Sequence, residues 1–174
     1  MRKNISQKSQ RQKREIALDY LRDLIKYGVV DLKSQNIDTY LDSYQDQILA
    51  ALMEKLYETE KVEGQDVSTV DAFYHFCEYV IRVDPITKKK IWNKFVMDQF
   101  KLIEHNQLTC YMAARGHGKS FVAFCLYPIF KSFLVEYFDA ILCSNTPKMT
   151  KINFRKLVRL IDGNEMLLEK KETN

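Results

Sequence analysis

Glycine and proline are scarce in this 174-residue chain, 5 and 3 residues respectively, which excludes collagen-like and low-complexity architectures. Long apolar runs are missing too. No stretch approaches the roughly eighteen uncharged apolar residues a membrane-crossing helix needs, and the opening Met-Arg-Lys-Asn-Ile-Ser-Gln-Lys leads into no apolar signal-peptide core. The sequence therefore points to no membrane association and to a cytoplasmic protein. Cys77, Cys110, Cys125 and Cys143 form no Cys-x-x-Cys pair and have no His at ligand spacing, so they read as buried free thiols. No internal repeat is present. What remains, 46% hydrophobic and 29% charged, is the composition of a folded chain with a core.

Acids are absent from the first fourteen residues, which carry Arg2, Lys3, Lys8, Arg11, Lys13 and Arg14. Of 27 Lys and Arg these take six, leaving 21 bases against 23 acids in the rest, so the net charge of +4 comes from the tail. Such a tail could contact phosphates by counterion release or simply be a flexible, solubilising terminus.

From Glu15 the pattern turns helical, with Ala17, Leu18, Leu21, Leu24 and Ile25 on one stripe and Gly28 closing it. A second helix is expected with Asp38 as N-cap, running through Leu41, Ile48, Leu52 and Leu56. Thr59 to Gln65 is polar with one glycine and reads as a linker. Ser68-Thr69-Val70-Asp71 has capping-box spacing ahead of a third helix through Phe73, Phe76, Cys77 and Val80, which Asp84-Pro85 breaks. Lys88-Lys89-Lys90 introduces a fourth, with Ile91, Phe95, Gln99, Phe100 and Ile103.

After His105-Asn106 the period changes. Leu108 to Ala113 is a short apolar run that reads as a buried parallel strand, followed at once by Arg115-Gly116-His117-Gly118-Lys119-Ser120 and a long apolar helix in which Pro128 is expected to introduce a kink. Phe138 to Ser144 reads as a second buried strand, with Pro147 at the start of the last helix.

Strand, glycine loop and helix in that order form a phosphate cradle. Gly116 and Gly118 let backbone N–H groups approach a triphosphate; Lys119 is placed to reach the β- and γ-phosphates, and the Ser120 hydroxyl to ligate Mg²⁺. Ala114, Arg115 and His117 complete the loop, and Ala113 stands where the full pattern wants glycine. His117 reads as a spacer. Arg115 could stabilise charge on the transferring phosphoryl group, as a cis arginine finger does, or could be an exposed loop charge.

At these residues the chain resembles the large terminase subunit of tailed bacteriophages, the motor that packages DNA into a procapsid. The resemblance rests on Ala-Ala-Arg-Gly-His-Gly-Lys-Ser at 113–120 and on Ile-Leu-Cys-Ser-Asn-Thr-Pro-Lys-Met-Thr at 141–150, and it covers about residues 70–170. Trp92 to Phe100 also resembles the family's adenine-recognition segment, which would make Gln99 the reader of the base. The resemblance implies an α/β fold, a P-loop NTPase of the additional-strand type with a parallel sheet, incomplete here and preceded by a helical region. It implies ATP and Mg²⁺ as cofactors, an oligomeric ring, and double-stranded viral DNA, the portal protein and the small terminase subunit as partners at the procapsid in the host cytoplasm.

Two parts of that pattern are missing. No apolar strand ending in Asp-Glu follows the loop: Val135 to Asp139 is too close to it, and Val80 to Asp84 precedes it. No carboxylate cluster for a two-metal nuclease follows either. The expected organisation is a basic tail at 1–14, a helical region at 15–66 and the first part of an ATPase domain at 67–174 that binds ATP and is inactive alone. Two other readings stay open: another P-loop ATPase such as a helicase, a helicase loader or a small kinase, or a non-catalytic fragment whose helices dock the small terminase subunit or portal.

Overall fold

Helix α1 (Arg2–Lys26) stops at Gly28 for a backbone reason. Gly28 takes φ 72°, its N–H bonds Ile25 C=O at 3.0 Å, and Val29 N–H reaches Leu24 C=O at 2.8 Å. This pair of bonds is the left-handed closure that only glycine adopts without steric cost. The computed structural model describes residues 2–84, 88–112, 114, 116–164 and 166–168, with side chains from Lys8 onward. The chain divides into two compact units, Met1–Lys55 and Leu56–Asn174.

In the first unit α1 takes in the basic N-terminal residues, and Ile16, Ala17, Tyr20 and Leu21 are its buried stripe, about one residue earlier than the pattern suggests. Helix α2 (Ile37–Leu56) is capped by Asn36 rather than Asp38: the Asn36 side chain accepts from Asp38 N–H at 2.8 Å. Asp38 is thereby freed to pair, with Asp42, on the guanidinium of Arg14. Leu41, Ile48 and Leu52 are the buried residues of α2 within this unit.

The second unit opens with a hairpin where the composition suggests a linker. Strands β1 (Thr59–Val62) and β2 (Gln65–Ser68) pair antiparallel. Glu63 and Gly64, at φ 51° and 81°, make the two-residue turn whose twist suits a hairpin. The strands are too short and polar for alternation to stand out. Helix α3 (Val70–His75) is capped by Thr69, whose hydroxyl accepts from Ala72 N–H at 3.0 Å, one residue on from the expected box because Ser68 is held in β2. It continues into a π-helical turn, Phe76–Ile81.

The core lies where α3 meets α4 (Lys94–Glu104) and the later helices. Phe73 stacks on Phe100 at 4.2 Å and 7°, Phe130 meets Phe73, Phe76 and Phe100 edge-on, and all four rings are fully buried. Rings in these offset and edge arrangements add about 0.5–1.5 kcal/mol per pair beyond area burial. Helix α5 (Lys119–Phe121) runs through a π-helical turn, Val122–Leu126, into α6 (Tyr127–Leu134). Pro128 sits in the first turn of α6 directly after that π turn, which accommodates the donor the proline ring lacks. Helix α7 (Pro147–Asp162) begins at Thr146, whose hydroxyl accepts from Met149 N–H, and buries Asn153 and Leu160.

The expected parallel α/β sheet is not formed. The described residues are mostly helical, and their one sheet is the antiparallel β1–β2 hairpin. Leu108 to Met112 and Phe138 to Ser144, read as buried strands, have no ladder partners, and Leu108, Met112 and Ile141 are 93%, 91% and 90% exposed. A parallel strand is held by neighbours on both sides and covered on both faces. An apolar run reports only its own preference for burial, and the described residues supply no neighbouring strand. The chain is therefore not a P-loop α/β fold. Two cysteines are corrected with it: Cys110 and Cys143 lie in these segments and are exposed, whereas Cys77 and Cys125 are buried.

Candidate functional site

The glycines of the loop are required by backbone angle, not by lack of room. Gly116 and Gly118 have φ 88° and 70°, yet a Cβ on either would touch nothing within 4 Å. Two left-handed residues flanking His117 turn the chain sharply into α5, and Gly118 C=O accepts the first helical bond, from Val122 N–H at 2.9 Å. The open space beside both glycines is where a ligand could meet the backbone.

Three side chains fix this turn. Gln99, on α4 and only 2% exposed, donates its amide to His117 C=O at 3.2 Å. Phe95, one turn earlier on the same face, meets the His117 ring edge-on at 5.0 Å. The imidazole Nδ1 lies 3.2 Å from Ala114 C=O, a bond that places the proton on Nδ1. His117, read from sequence as a spacer, is thus the point at which α4 grips the loop. Lys119 folds back so that Nζ lies 3.4 Å from Ala114 C=O, a long contact.

The turn separates two cavities. One, of about 240 Å³, is lined by Lys119, Ser120, Gln99, Thr109 and Tyr111 among others. The other, of about 490 Å³, is lined by Gly116, His117 and Gly118 together with Phe95, Asp84 and Lys89 among others. The structure therefore brings Gln99, His117, Gly118, Lys119 and Ser120 together. Arg115, the expected arginine finger, and Ala113 lie outside the described residues. Phe95 belongs by its spacing to the apolar stripe of α4, yet it is 51% exposed. Its spacing of four residues from Gln99 was the available signal, since both then share a helix face.

Among the described residues no three His, Cys, Asp or Glu side chains gather as a metal site, and Asp84 is the one acid among those lining the two cavities. Glu104, at the end of α4, is committed elsewhere. Its carboxylate accepts from Ser68 N–H and Lys131 at 2.8 Å and from the Tyr127 hydroxyl at 2.7 Å. Burial would raise its pKa, but those bonds and the Lys131 charge outweigh burial and hold it below the ordinary carboxylate value. Tyr127 is pushed up, by burial first and then by Glu104.

Comparison with protein-family models, curated proteins and solved structures gives no match to the chain.

Proposed function

We propose that residues 114–120 bind the phosphates of a nucleoside triphosphate, ATP with Mg²⁺. The observation that carries this reading is the pair of left-handed glycines leading directly into Lys119 and Ser120, which line one cavity at the start of the helical segment Lys119–Leu134. Binding an anion at such a turn needs local geometry only: free N–H groups, a helix start and a cation. It does not need a parallel sheet.

Mg²⁺ fits the donor set in part. It is usually held by one or two protein oxygens together with substrate phosphates and waters. Ser120 is exposed on the same cavity as Lys119 and offers one such oxygen. When bound, the ion neutralises charge on the phosphate oxygens. The chain's own part is to bind and orient: the loop N–H groups and Lys119 hold the phosphates, and Gln99 and His117 keep the turn in shape. Calorimetric titration with Mg·ATP tests the reading. Lys119→Ala should weaken binding about tenfold or more, the value of a charge-assisted contact; unchanged affinity would contradict it.

The finer reading, a role in a DNA-packaging motor, is a proposal resting on the resemblance at 113–120 and 141–150. One feature favours a nucleic-acid partner. Lys148, Lys151, Arg155 and Arg159 of α7 are all exposed, and none pairs with an acid among the described residues. At about 100° per residue they fall within roughly 80° of one another, on the side away from Asn153 and Leu160. A stripe of exposed cations on one helix face is the electrostatic footprint of phosphate-backbone binding.

A further inference from the structure

We propose that the cavity beside Phe154 takes an unpaired nucleotide of a nucleic-acid strand, its base on the Phe154 ring and its phosphate on Lys151 and Arg155. This rests on the reading of α7 as a nucleic-acid face and adds to it a seat that a duplex cannot fill.

The segment Phe138 to Ser144 and α7 together enclose a cavity of about 400 Å³, lined by Ala140, Leu142, Thr150, Lys151, Phe154 and Arg155. Small-ligand sites run to about 300–1,000 Å³, so one base has room there.

Three features of its wall match a nucleotide. The first is the ring. Phe154 is 55% exposed, and at about 100° per residue it stands about 100° from Asn153 and 120° from Leu160, the buried residues of α7. It is therefore turned away from the core that the helix covers. The second is charge beside the ring. Lys151 and Arg155 are both exposed, and Lys151, three residues before Phe154, is its neighbour on the helix surface. A strand whose phosphates follow these cations can turn a base onto the ring. The third is open backbone. The peptide groups of Ala140 and Leu142 make no hydrogen bond to other described residues, which leaves donors and acceptors for a base edge.

The ring decides which form of nucleic acid fits. In a duplex the faces of each base are covered by stacked neighbours, so Phe154 can hold only an unpaired base. The cations meet either form through its phosphates. Every base has a π-face, so such a platform gives affinity with little preference among bases.

The test measures, at one salt concentration, binding of the full chain and its Phe154→Ala and Phe154→Trp variants to three probes: a thymidine oligonucleotide, an abasic oligonucleotide of equal length, and a duplex. Stacking on an aromatic is worth about 1–3 kcal/mol per base, so Phe154→Ala should weaken the thymidine strand about tenfold and leave the other two unchanged. Phe154→Trp should restore the parent's affinity, with fluorescence quenched by the thymidine strand and not by the abasic one. If Phe154→Ala binds all three as the parent does, the base lies elsewhere and this inference is overturned, while the α7 reading stands. Equal loss on all three probes would make Phe154 a support for the cations and would overturn the inference too. If the parent chain binds none of the three, the nucleic-acid reading itself fails and takes the inference with it.

Discussion

The side-chain amide of Gln99 donates to the backbone carbonyl of His117 across 3.2 Å, from the buried face of α4 to the middle of the glycine turn. A carbonyl pinned from behind leaves the two flanking glycine peptides less freedom, and both sit at positive φ. Gln99→Leu keeps the bulk and removes the donor. The expected outcome is faster hydrogen exchange across 114–120 in the ligand-free chain and tripolyphosphate affinity reduced about threefold to tenfold, since an intramolecular bond of this kind contributes about 1 kcal/mol net. Unaltered exchange would remove Gln99 from the loop's support.

Glu104 joins β2, α4 and α6 through one carboxylate that is 2% exposed. Its pKa is lowered in the folded chain, so the unfolded chain binds that proton more readily and stability rises with pH through the acid range. The contribution is complete above the unfolded carboxyl value of about 4.3 and is lost as pH falls through the folded value. Glu104→Gln should cost about 2 kcal/mol at neutral pH, because Lys131 loses its charged partner. Its loss of thermal stability between pH 6 and pH 3 should be shallower than the parent's. Parallel curves would show that Glu104 is not the titrating group.

The cysteines divide by burial. Cys125 is pushed up to about 11, chiefly by burial, and its thiol donates to Asn153 C=O at 3.7 Å; Cys77 is raised by burial as well. Cys110 and Cys143 are exposed. Alkylation near pH 8 should label the latter pair quickly and the buried pair only on unfolding. Rapid modification of all four would contradict the burial of the π-helical turns Phe76–Ile81 and Val122–Leu126, the second of which packs against α7.

The cation stripe of α7 carries its own expectation. If Lys148, Lys151, Arg155 and Arg159 each neutralise one duplex phosphate, log affinity should fall against log salt with a slope of about −3.6 from these contacts, and reversing Lys151 and Arg155 to Glu should lower that slope by about 2. A slope untouched by the reversal would move the nucleic-acid contact off this helix.

Helix periodicity located α1, α2, α3 and α4 because each buries a stripe that recurs at helical spacing: Leu21, Leu41, Phe73 and Phe100 all stand where the pattern puts them. Caps were less legible. Asn36 and Thr69 each lie one or two residues from the expected position, since several polar residues compete for the same role and tertiary contacts choose among them. Leu108 to Met112 and Phe138 to Ser144 misled because burial of a parallel strand is decided by other strands, which local sequence does not contain. At the loop, Gly116, Gly118, Lys119 and Ser120 were legible from their order alone. The grip of Phe95 and Gln99 on His117 was not, because it joins residues 18 or more apart.

The central claim is that the turn from Ala114 to Ser120 receives phosphate on its backbone. The most direct measurement follows the Gly116 and Gly118 amide resonances of the isotope-labelled chain while Mg·tripolyphosphate is added. Both should shift and saturate together, and Lys119→Ala should raise the midpoint about tenfold or more. Resonances that stay in place, or a Lys119→Ala titration that overlays the parent's, would contradict the account.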